Sequence, residues 1–94
     1  MKMLMIVVDS GKKEELEVVL RNAGVPGWTE IADASGMGTT GPRLGSAAFP
    51  KTSAVIFTLL PPDRVGPLAA DLRSYCADCG ERLKMVAWDV AEVL

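Results

Sequence analysis

Residues 34–51 read ASGMGTTGPRLGSAAFPK, and within them Gly36, Gly38 and Gly41 spell G-x-G-x-x-G. Glycines at that spacing let a backbone approach phosphate closely. Placed between a strand and a helix, they mark a dinucleotide-binding turn. The context here differs. Pro42 follows Gly41 directly and drives it away from helical backbone angles, and no apolar helical stripe comes after. No G-K-[ST] occurs either, which excludes a P-loop. What remains is a long connection from about Ser35 to Thr52 that carries Thr39, Thr40, Arg43, Lys51 and the small apolar patch Ala47-Ala48-Phe49. Connections longer than about 12–15 residues without structure of their own are uncommon in compact domains and usually functional or disordered. Donors and hinges beside a hydrophobic grip suit a segment that orders on meeting a ligand or a partner.

Other chemistry is sparse. The chain has no histidine, which removes the commonest general base and every Ser/His or Cys/His pair. Cys76 and Cys79 form C-x-x-C, but at the end of a helix, whereas a thioredoxin-like motif opens one. A structural zinc site needs four ligands, and one such pair supplies two. Copies of the pair meeting across a symmetry axis would be needed to hold a soft metal; otherwise Cys76 packs in the core and Cys79 lies near the surface. Asp9 with Asp33, or Glu30 with Asp89, would pair only by accident of folding. No activated nucleophile or acid–base pair is discernible, so an enzyme is not expected.

The elements that must position the loop follow from periodicity. Met3–Val8 is a continuous apolar run closed by Asp9-Ser10-Gly11, which reads as a fully buried strand followed by a turn. Asp9 or Ser10 can cap the helix that follows, where Leu16, Val19, Leu20 and Ala23 recur on one face. Gly24 and Pro26 end it. The second strand runs from Trp28 to Ala34 and is interrupted by Glu30 and Asp33. Ser53–Leu60, β-branched, aromatic and apolar, reads as a second buried strand; Pro61-Pro62-Asp63 then starts a helix striped by Val65, Leu68, Ala69, Leu72 and Cys76, with Pro67 expected in its first turn. A last strand covers Leu83–Val90, with Trp88, like Trp28, suited to a core or subunit contact.

The order βαββαβ is α+β and ferredoxin-like, an antiparallel sheet with two helices on one face. In that topology the first and third strands lie centrally, and these are the two apolar runs. Their second face has no helix to cover it, so another copy of the chain is the expected cover. The 94 residues fit a single domain, 1–94. A net charge of −2, scattered basic residues and five aromatics argue against nucleic acid as a partner. The six-residue N-terminal run is too short for a signal peptide or a bilayer span, so the chain is expected to be cytoplasmic, not membrane-inserted, with reduced thiols.

The element order, the strand exit Glu30–Gly38, and the segments Gly36-Met37-Gly38-Thr39-Thr40, Gly41-Pro42-Arg43-Leu44-Gly45 and Phe49-Pro50 resemble the nitrogen regulatory PII signalling proteins, especially their short PII-like subgroup. The resemblance spans Met1 to Leu94. It implies a PII-like homotrimer with small-molecule sites in the clefts between protomers and a loop that reports occupancy to a regulatory target, for example a membrane transporter. Carried onto this chain, it implies ligand contacts at Gly36, Gly38, Thr39, Thr40, Arg43, Lys51, Arg82 and Lys84, and partner contacts at Gly41, Pro42, Leu44 and Phe49. The effector stays open between an adenine nucleotide and another small anion. The family's T-G-x-x-G-D-G-K turn is replaced by Cys79-Gly80-Glu81-Arg82-Leu83-Lys84. C-terminal arginines have no counterpart before Leu94, and the only tyrosine is Tyr75. ATP held in the ordinary way and uridylylation are therefore not expected. Two alternatives stand beside this reading: an interaction module whose loop docks without any ligand, and a metal-binding protein using Cys76 and Cys79.

Overall fold

The computed structural model describes residues 1–38, 41–75 and 83–94. The first apolar run becomes β1 (Lys2–Asp9), in which Leu4, Ile6 and Val8 are buried while Met3, Met5 and Val7 on the other side are only partly covered. A period of two on a run that is apolar throughout gives two apolar faces. The same holds for β5 (Ser53–Leu60), where Ala54, Ile56, Thr58 and Leu60 are buried and Val55, Phe57 and Leu59 are half-buried. Between them in sequence lie α1 (Lys13–Asn22), β2 (Thr29–Ala34), β3 (Gly36–Gly38) and β4 (Gly41–Arg43). After them come α2 (Pro62–Tyr75) and β6 (Lys84–Asp89).

The main sheet has the order β2-β5-β1-β6, with every neighbouring pair antiparallel. This is the ferredoxin-like arrangement, and the two apolar strands are the central ones. Leu16 and Leu20 of α1 and Leu68 and Leu72 of α2 close over the buried side of the sheet to form the core. Burial of each of these side chains is worth about 1.5–3 kcal/mol. Thr58 is the polar exception in that layer, and its hydroxyl donates to the Gly27 carbonyl at 2.6 Å.

Local chemistry sets the element ends. Asp9 accepts from the Gly11 amide and opens a single 3-10 turn, Ser10–Lys12, before α1 begins. Gly24, at φ 75°, ends α1 in the left-handed conformation, and Val25 folds back into the core. The carbonyls of Ala23 and Gly24 are capped from α2 by Arg64 Nη2, at 2.9 and 3.4 Å. Pro67 sits in the second turn of α2 rather than the first, because the helix begins at Pro62, whose ring suits the first helical position.

Among the described residues, no helix covers the opposite face of the sheet. The register sets Met5 between Phe57 and Val86, Met3 between Leu59 and Trp88, and Val7 opposite Val55. Trp88 and Ile31 flank this apolar surface at the two edges and are 43% and 52% exposed. Among the described residues, no helix is long and apolar enough to cross a membrane.

Candidate functional site

The long connection is more structured than its composition suggests. Gly36 pairs with Arg43, Met37 with Pro42 and Gly38 with Gly41, so β3 and β4 form a short antiparallel ribbon. Pro42 is accommodated because a two-stranded ribbon leaves one edge of each strand unpaired. Beyond it the chain turns back on itself. The amides of Leu44 and Ser46 donate to the Phe49 carbonyl and that of Gly45 to the Lys51 carbonyl, while the Phe49 amide donates to Ser46 Oγ.

A polar network bolts this loop to the end of β1. Ser10 N donates to the Thr52 carbonyl at 3.1 Å. The Thr52 hydroxyl donates to Asp33 Oδ1 at 3.2 Å and lies 2.8 Å from Ser10 Oγ. Thr52 has one proton and gives it to the carboxylate, so Ser10 must be the donor in the second bond. Asp33 has φ 54° at the point where the β2–β5 register shifts. Aspartate tolerates that conformation better than most side chains, and the bond from Thr52 holds it there. Asp9 and Arg43 form an ion pair in which each side chain is only 15% exposed. Arg43 Nη1 also reaches the Thr52 carbonyl at 3.5 Å.

The Asp9–Arg43 pair borders a cavity of about 600 Å³. It lies where β1 and β2 end and β5 and β6 begin. Its walls are the backbone of 34–38, the Asp9–Arg43 pair, Lys84, and Val7 and Val55 from the uncovered face. A Cβ placed on Gly36 or Gly38 would meet no atom within 4 Å. Volumes of 300–1,000 Å³ are usual for small-molecule sites. A second, shallower depression of about 270 Å³ lies on the other side of the loop base, between Asp9–Gly11 and Pro50–Thr52.

Of the residues expected to touch a ligand, Gly36, Gly38, Arg43 and Lys84 therefore share one cavity, and Lys51 borders the shallower depression. Thr39, Thr40 and Arg82 lie outside the described residues, as do Cys76 and Cys79. Of the residues expected to meet a partner, Leu44 and Phe49 are 51% and 45% exposed. Gly41 and Pro42 are half-buried in β4. Met37, at 76% exposure, adds an apolar side chain to the loop surface. Tyr75 bonds the Lys12 carbonyl and Glu15, on α1 and the turn before it. Among the described residues, no group of three acidic or sulfur side chains is placed to hold a metal.

Sequence reasoning missed two parts of the arrangement. Asp9 and Asp33 do not pair with one another; each serves the loop base, Asp9 through Arg43 and Asp33 through Thr52. Glu30 meets Lys13 Nζ at 3.1 Å, and its other oxygen, Oε1, is buried without a hydrogen-bond partner among the described residues. Glu17 faces that carboxyl: the bond that a protonated Glu17 would donate to Glu30, reinforced by burial, raises the Glu17 pKa. The same Glu30 carboxylate raises the pKa of Lys13. No spacing signals a contact between a helix residue and a strand residue, since only the tertiary fold brings them together.

The model of the family described as nitrogen regulatory protein P-II matches residues 1–91 of this chain, nearly its whole length. The chain belongs to the P-II family. Among solved structures, the CPII protein of Thiomonas intermedia, a nitrogen regulatory PII-like protein bound to ADP, AMP and bicarbonate, superposes with a TM-score of 0.74. It shares 25% identity, over 97% of this chain and 88% of that one. The same protein in its apo form gives a TM-score of 0.67 at 22% identity, over 95% and 89%. A putative PII-like signaling protein from Thermus thermophilus shares the fold at 15% identity and a TM-score of 0.71, over 95% and 85%. Among curated proteins, none matches the chain. As a P-II protein, the chain is a member of a regulatory family whose solved relatives include one holding nucleotides and a small anion.

Proposed function

We propose that this P-II protein is a signalling component, not an enzyme, that takes a small anionic effector in the cavity at the loop base and reports it to a target protein through residues 36–51. The carrying observation is the joint position of the cavity. It is lined by glycine backbone, Arg43 and Lys84, and it opens at the end of the uncovered apolar face. Glycine amides and basic side chains suit phosphate or carboxylate oxygens. The apolar face favours a second copy of the chain, and a copy seated there would wall the cavity from the side of Val7 and Val55. A homotrimer with its sites in the clefts between protomers, as the family resemblance implies, is consistent with that arrangement.

The ligands of the Thiomonas protein, ADP, AMP and bicarbonate, set the first effectors to try. The proposed contacts are Gly36, Gly38, Thr39, Thr40, Arg43, Lys51, Arg82 and Lys84, with Leu44, Phe49, Gly41 and Pro42 meeting the target. A cytoplasmic site of action and a membrane transporter as target belong to the same proposal. Calorimetry with ADP, AMP and bicarbonate, each alone and in pairs, tests it. Saturable binding that is lost in Arg43→Gln supports the reading, and absence of binding to all three refutes it.

A second reading has its own observation. Met37, Leu44 and Phe49 leave apolar surface exposed on the loop. A loop that docks constitutively would capture the same target with and without added effector. Capture that responds to ADP or bicarbonate would instead favour effector control.

A further inference from the structure

Asp9 occupies an unusual place for a site that is to receive an anion. Its carboxylate stands in the cavity wall, 15% exposed, and is already paired with Arg43. Its position is not accidental. Oδ2 accepts from the Gly11 amide at 2.9 Å, and a Cβ at position 11 would lie 2.9 Å from that oxygen, closer than real Cβ atoms approach. Glycine at 11 is therefore what allows the carboxylate to sit there, with Oδ1 left to face the guanidinium.

We infer that Asp9 is a built-in stand-in for the effector: a tethered carboxylate that holds Arg43 and that a small carboxylate-type anion must displace. This rests on the effector reading above and names how the site is regulated. Arg43 lies on β4, and its partner Asp9 lies at the end of β1 beside Ser10, so the ion pair spans from the loop to the sheet. When an external anion takes Arg43, that tie is given up. Among the contacts named above, the Ser10–Thr52 pair then holds the loop to β1, which lowers the free energy of opening. Occupancy and loop release are thus linked through one guanidinium, with no need for a structural change elsewhere.

A carboxylate on a short tether acts at an effective concentration in the millimolar range or above, so a free anion competes with it evenly only near about millimolar concentrations. Hydrogen bonds to charged groups imply that removing the competitor tightens anion binding about ten- to hundredfold.

Asp9→Asn is the direct probe. Asparagine keeps an oxygen for the Gly11 amide and presents a donor to Arg43, so the turn survives and the ion pair does not. Bicarbonate and acetate are titrated into the full-length wild type, Asp9→Asn and Arg43→Gln by calorimetry. Amide exchange is read at Ser10, Gly45 and Ser46 with and without 50–100 mM bicarbonate, roughly ten or more times that effective concentration. The expected result has three parts. Asp9→Asn binds at least about tenfold tighter than wild type. Its loop amides exchange, without anion, as fast as those of anion-saturated wild type. Arg43→Gln shows the same fast exchange but binds neither anion. Wild-type binding with equal or weaker binding by Asp9→Asn overturns the stand-in role and leaves the effector reading intact. Unchanged loop exchange in Asp9→Asn also overturns it. If none of the three binds either anion, the inference falls, and the nucleotide titrations decide the effector reading separately.

Discussion

Replacing Thr52 by valine keeps its shape and removes one hydroxyl on which two contacts depend. Ser10 loses its acceptor at 2.8 Å and Asp33 loses its donor at 3.2 Å. A neutral bond contributes about 1 kcal/mol net and one to a charged group about 1.5–3 kcal/mol. Asp33 is exposed, which places the second at or below the bottom of its range. The sum is about 2 kcal/mol. At about 4–8 °C per kcal/mol for a chain of this size, the thermal midpoint falls by about 8–16 °C. It must be compared at one protomer concentration, because any self-association makes the midpoint concentration-dependent. The assay pairs urea denaturation with amide exchange at Ser10, whose bond to the Thr52 carbonyl remains in the variant. Exchange there should rise about thirtyfold if the loop base opens as a unit. Ser10→Ala should cost about half as much alone and almost nothing further in the Thr52→Val background, since the partner is already gone. A loss under about 0.5 kcal/mol, or full additivity of the two changes, would refute the assigned donor order and the role of Thr52 as the bolt.

Three further outcomes are expected. Glu17, whose pKa is raised because its protonated form can donate to Glu30, contributes stability that is complete below the ordinary carboxyl pKa of about 4.3 and is lost as pH rises through its own higher value. Glu17→Gln supplies a permanent donor to Glu30, so its melting advantage over wild type should grow from about pH 4 to about pH 7; a difference independent of pH would contradict this. Phe57→Glu puts a charge in the middle of the uncovered face and should shift sedimentation to a single protomer, whereas an unchanged assembly would show that this face is not the contact. Arg64→Ala removes the side chain that caps α1 and should cost about 1 kcal/mol in urea denaturation, with faster exchange confined to the end of α1. No measurable loss would mean that solvent caps those carbonyls equally well.

The architecture was legible because it rests on pattern. Two unbroken apolar runs, Met3–Val8 and Ser53–Leu60, have to be central strands, and the stripes Leu16/Leu20 and Leu68/Leu72 have to face them. Gly24 had to end a helix. The ribbon of β3 and β4 was not legible, since three-residue strands built from glycine, proline, arginine and one methionine carry no alternation to read. The cavity was visible in part. Glycines and basic residues within one loop announce themselves, and Gly36, Gly38 and Arg43 do line it. The groups that organise the loop base come from elsewhere: Asp9 and Ser10 lie more than thirty positions before the residues they bind. Charge and capping propensity gave Asp9 a local role as a helix cap, which it fulfils with one oxygen, while the other oxygen has a role that only the folded chain shows.

The central claim is that the cavity at the loop base receives an anionic effector and that Arg43 receives it. Calorimetric titration of AMP and bicarbonate together into wild type and Arg43→Gln tests this most directly. Saturable binding at one site per protomer, abolished by the substitution while the melting curve stays cooperative, is the predicted result. Equal binding by both proteins, or by neither, would contradict it.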